Sequence, residues 1–61
     1  MNHHTAEYNG KQVIVEDVNN KTEFRRACMR IIDNATEGIV TTPKGLRYEI
    51  TRERRTARLI K

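Results

Sequence analysis

One stretch of this chain, and only one, carries helical periodicity. Phe24, Ala27, Cys28, Ile31, Ile32 and Ala35 recur at the spacing of a 3.6-residue turn, while Arg25, Arg26, Arg30 and Asp33 fall off the stripe. Asn20 stands just before it, and Glu23 three residues on completes a capping-box-like pattern. Gly38 fits the left-handed residue that ends a helix. A single amphipathic helix must bury its stripe against something, and the rest of the chain offers only strands.

Asn9-Gly10 is a strong short hairpin signal, because a type I′ turn needs two positive φ angles. Its upstream arm, Ala6-Glu7-Tyr8, is short and polar, so fraying is expected there. Downstream, Val13-Ile14-Val15 is β-branched throughout and apolar on both faces. That pattern predicts a strand over 11–17 with neighbours on more than one side. After Gly38 the period becomes alternating. Residues 39–42 form a strand, and Pro43-Lys44-Gly45 a three-residue turn with glycine in the left-handed position. This turn sets Val40 opposite Tyr48. Residues 46–51 and 56–61 then form two strands around the polar loop 52–55. Within that hairpin Ile50 faces Ala57 and Tyr48 faces Leu59, while Thr51 faces Thr56 and Glu49 faces Arg58. All are favourable cross-strand pairs.

The expected fold is a two-layer α+β domain, one amphipathic helix on an antiparallel sheet of three to five strands. The order is a β-hairpin or strand, the helix, then a β-meander. The helix is expected on the face carrying Leu46, Tyr48, Ile50, Ala57 and Leu59. The whole chain, 1–61, makes one small domain with 1–5 flexible. Its core is thin, since Leu, Ile, Val and Phe together number 13 of 61 residues, close to the roughly 20 % below which disorder prevails.

The formal net charge of +4 is unevenly placed. Up to Pro43, five basic residues stand against six acidic ones. From Lys44 onward, Lys44, Arg47, Arg52, Arg54, Arg55, Arg58 and Lys61 face only Glu49 and Glu53. The excess is carried mostly by arginine, whose planar fork suits phosphate or carboxylate.

Material for catalysis is sparse. The chain has no serine, a single cysteine (Cys28) and two histidines (His3 and His4) in a terminus expected to be mobile. Cys28 lies on the apolar stripe, where a small buried hydrophobe is the ordinary role. No catalytic residue, metal site or cofactor is expected. The lone thiol fits a reducing compartment and no stretch is apolar enough to span a membrane, so the expected location is the cytoplasm and no membrane partner is expected.

The expected function is that of a small non-enzymatic accessory or regulatory protein. Its binding residues are Arg47, Arg52, Arg54, Arg55 and Arg58 of the C-terminal hairpin, and nucleic acid is the first partner class, DNA ahead of RNA. A sheet backed by one helix is similar to the way plant and integrase-type DNA-binding domains present strands to DNA. In those domains the helix follows the sheet, whereas here it precedes it. The alternative is a protein-binding inhibitor or adaptor of phage or plasmid type. It would meet an acidic protein surface through the same hairpin or an open sheet edge, with homodimer formation through that edge a further option.

Overall fold

The computed structural model describes residues 3–60. Its elements are β1 (His4–Tyr8), β2 (Lys11–Val15), α1 (Asn20–Asn34), β3 (Glu37–Thr41), β4 (Arg47–Thr51) and β5 (Thr56–Ile60). The strands form one five-stranded sheet in the order β2-β1-β3-β4-β5, each neighbouring pair antiparallel. With α1 on one face, this is the two-layer α+β arrangement expected. β2 and β3 run parallel to each other with β1 between them, so β2–α1–β3 is a split crossover.

The turns follow their residues. Asn9 (φ 51°) and Gly10 (φ 75°) both take left-handed backbone and set Tyr8 opposite Lys11. Gly45 (φ 91°) closes the β3–β4 turn, where Thr42 N–H donates to Leu46 carbonyl at 2.8 Å. Every β4–β5 pair expected from the alternation is present, Tyr48 with Leu59 and Ile50 with Ala57 among them.

The N-terminal segment departs from expectation. β1 begins at His4 and occupies an interior position in the sheet, with His4, Thr5, Ala6 and Tyr8 all buried. His4 and Thr5, expected in a flexible terminus, are thus placed inside β1, while residues 1 and 2 lie outside the described range. The polar character of β1 is tolerated because α1 supplies a partner. Glu23, only 2 % exposed, accepts the His4 backbone N–H at 2.8 Å, lies 2.7 Å from His4 Nδ1 and accepts the Asp17 N–H at 3.0 Å. These contacts hold its carboxyl down at about 2, with the His4 side chain the largest cause.

Glu23 is thus a buried clamp across β1, α1 and the β2–α1 connection, not the outer arm of a capping box. The cap belongs to Asn19, whose Oδ1 accepts the Thr22 N–H at 2.9 Å, one residue before the cap expected at Asn20. Gly38 likewise does not end the helix. α1 stops at Asn34, and Gly38 lies inside β3, where a Cβ would come within 2.6 Å of Glu7 carbonyl oxygen and 2.8 Å of Ile31 Cγ2. Glycine is needed there because strand and helix approach too closely for a side chain.

That close approach seats the helix. The buried row of α1 is Glu23, Ala27 and Ile31, continued by Ala35 just past its end, and its apolar members pack with Ala6, Val40 and Ile50. α1 lies on the expected face of the sheet, the one carrying Tyr48 and Ile50, but is centred over β1 and β3 and reaches only β4 of the C-terminal hairpin. β2 is also an edge rather than an interior strand, and its apolar Ile14 is 59 % exposed on the open face.

Candidate functional site: the C-terminal hairpin and its uncovered edge

The structure disperses the five arginines: Arg47 and Arg58 stand on β4 and β5, and Arg52, Arg54 and Arg55 in the loop between them. Arg47 lies on the open face of the sheet, its Nη2 3.8 Å from Glu7 Oε1. Arg58 shares that face, opposite Glu49 in register. Arg54 joins Arg58, Glu49, Thr51 and Thr56 around a hollow of about 250 Å³. Arg54 and Arg58 are thus brought together, with a carboxylate among them.

Arg52 has a structural task. Its Nε–H donates to the Ile32 carbonyl at 2.9 Å, and its backbone N–H donates to Thr36 carbonyl at 2.9 Å. The last turn of α1 contains no basic residue of its own, so Arg52 supplies from the β4–β5 loop the cation that helix C-termini favour. Arg55, in left-handed backbone at φ 53°, goes to the helix side of the sheet.

The helix side of the hairpin holds what sequence alone did not single out. Because α1 is seated over β1 and β3, its second apolar row, Phe24, Cys28 and Ile32, is only half-buried and looks toward β4 and β5. Phe24 meets the Tyr48 ring edge-on at 5.1 Å between centroids. Beyond that contact the cover ends. Every residue of β5 is exposed, Leu59 at 43 % and Ile60 at 40 %.

A hollow of about 250 Å³ lies between the helix and the start of the edge strand, and a second of about 290 Å³ adjoins it along α1 and Arg55. Phe24, Ile50 and Ala57 line the first, Met29 and Asp33 the second, and Cys28, Ile32, Arg25 and Arg55 border both. Burial pushes the Cys28 thiol above its ordinary pKa. The signal that could have located this groove is the double row of the stripe, since a helix with two apolar rows and one seat leaves one row partly uncovered.

On the far side, Arg26 Nε–H donates to Asp17 Oδ2 at 2.9 Å. The Asp17 carboxyl is held below its usual range, by the Val18 N–H first and Arg26 second. Among the described residues, no group of three or more His, Cys, Asp or Glu side chains is placed to hold a metal ion. None of the described helical residues forms a segment long and apolar enough to cross a membrane. The chain matches no protein-family model, no curated protein and no solved structure.

Proposed function

We propose that this chain is a non-enzymatic protein-binding module, an adaptor or inhibitor that engages its partner through the β5 edge of the C-terminal hairpin. One observation carries the reading: β5 is an edge strand with every side chain exposed, next to a helix row that is only half-covered. An unpaired strand edge can accept a further strand through main-chain hydrogen bonds, and flanking apolar side chains supply selectivity.

Nucleic acid, the first expectation from the arginine cluster, remains the second reading and rests on Arg54 and Arg58 on the open face. It is the weaker one because Arg52 is engaged with α1, Arg47 stands by Glu7 and Glu49 faces Arg58.

The test is selection of peptides from a random displayed library on the immobilised chain, beside titration of a DNA duplex at low and near-physiological salt. The expected result is enriched peptides whose affinity falls about tenfold, or 1.4 kcal/mol, with Leu59→Lys. Failure to enrich any peptide overturns the reading. Duplex binding that weakens steeply with salt and is lost in Arg54→Ala/Arg58→Ala assigns the hairpin to nucleic acid instead.

A further inference from the structure

The groove behind β5 bears on what kind of segment the edge accepts. We infer that the groove between α1 and β5 is a docking site for an extended acidic segment of a partner protein. Its alternate aliphatic side chains enter the groove, and the side chains between them are carboxylates. The inference rests on the proposed protein-binding role and adds the chemistry of the occupant.

Three observations specify that chemistry. First, each hollow is smaller than the roughly 300–1,000 Å³ of small-molecule sites, so the groove suits side chains one at a time. Its floor, formed by Phe24, Cys28, Ile32, Ile50 and Ala57, is apolar. Second, the charge beside it is cationic. Arg25 and Arg55 border both hollows, with Asp33 the carboxylate in the walls, and Arg58 projects from β5 on the opposite face. In a strand added beside β5, alternate residues would fall on these two faces. Aliphatic side chains would meet the groove, and carboxylates would meet Arg58 and Arg54, whose two positive charges exceed the single negative charge of Glu49 beside them.

Third, the same charges argue against a second copy as occupant. Two copies paired antiparallel about Arg58 would set like charges directly opposite, which is destabilising, and each brings a net charge of +4. The β2 edge differs: the hollow beside it mixes Glu16 and Asp33 with Arg26 and Arg30 and offers no single sign for a ligand to match.

Cys28 provides the reporter, because its half-buried thiol lies in both hollows. The full-length chain is treated with a thiol-exchange reagent at mildly alkaline pH. The probe is a blocked peptide alternating leucine with aspartate or glutamate, and its control carries asparagine and glutamine in place of the acids. The expected result is that the acidic peptide slows Cys28 modification at least about fivefold at saturation. It should also bind about tenfold more tightly than the neutral one, with that preference lost in Arg55→Asn/Arg58→Gln. Asparagine tolerates the left-handed backbone of position 55, and circular dichroism of the variant verifies its fold.

Equal protection by both peptides overturns the acidic specificity while leaving the protein-binding reading intact. If peptides enriched in the displayed selection leave Cys28 unprotected, the groove is overturned as the docking site and the edge is retained. Protection that appears without peptide as protein concentration rises makes the occupant a second copy, and protection by duplex DNA but not by peptide makes it a nucleic acid. Either result overturns the inference.

Discussion

One oxygen of Glu23 receives two contacts from His4: its Oε1 accepts the His4 backbone N–H at 2.8 Å and lies 2.7 Å from the His4 ring Nδ1. Oε2 accepts the Asp17 N–H at 3.0 Å and lies 3.5 Å from His3 Nδ1. One carboxylate therefore ties the start of β1 and the β2–α1 connection to the first turn of α1. Removing the carboxylate would leave the buried His4 N–H and the Asp17 N–H without an acceptor, which is the costly side of the hydrogen-bond asymmetry.

This clamp gives the fold an acid-sensitive component. The Glu23 carboxyl is depressed from 4.5 to about 2 in the folded chain, so the unfolded chain binds a proton there first as pH falls. The stabilisation is fully present above about pH 4.5 and is lost progressively toward pH 2. Denaturant melts at a series of pH values should show the midpoint falling through that window. In Glu23→Gln the slope over the window should flatten, with lower stability at neutral pH.

Gly38→Ala should destabilise the chain by about 1–3 kcal/mol, the usual range for overpacking a filled core, because its Cβ meets Glu7 carbonyl oxygen and Ile31. Gly45 shows the contrast. A Cβ there meets nothing within 4 Å, so Gly45→Ala is opposed only by its left-handed backbone, and Gly45→Asn should recover most of that loss. Thermal melts of the three variants test the ordering.

Asn19→Ala should lower stability by about 0.5–2 kcal/mol, the range for loss of an N-cap side chain, since the Thr22 N–H would lose its acceptor. Asn19→Asp should keep the cap and gain from the helix dipole. Denaturant midpoints for the pair measure this.

Arg52 and Arg54 differ by two positions and should behave differently. Arg52→Ala removes the donor to Ile32 carbonyl and should cost roughly 0.5–1.5 kcal/mol. Arg54→Ala should leave the melting midpoint unchanged. Equal effects would remove the structural role given to Arg52.

The parts of the fold that were legible in sequence are those set by local rules. The pairing of Tyr48 with Leu59 follows from strict alternation on both sides of a four-residue loop. Asn9-Gly10 declares its own turn. What was not legible depends on contacts distant in sequence. His4-Thr5-Ala6-Glu7-Tyr8 looks like a frayed arm until Glu23, on another element, satisfies its polar start. Periodicity placed both rows of the helix stripe, but which row faces down is decided by the gap at Gly38. The arginines formed a cluster in sequence and not in space, because the β4–β5 loop gives Arg52 to the Ile32 carbonyl and sends Arg54 and Arg55 to opposite sides of the sheet.

The position of β1 between β2 and β3 has a kinetic consequence. The β3–β4–β5 meander contains only local pairings and can form rapidly on its own connectivity. β1 finds its β3 partner only after the chain has travelled through β2 and the whole of α1, so Ala6 meets Val40 across a long loop. Sequence separation predicts that the late step of folding is the arrival of the N-terminal hairpin against β3 together with the helix it brings. Until then β3 is a bare edge. A destabilised variant should expose that edge, and the hairpin of one copy then has an identical vacancy to fill in another, the circumstance in which chains exchange strands.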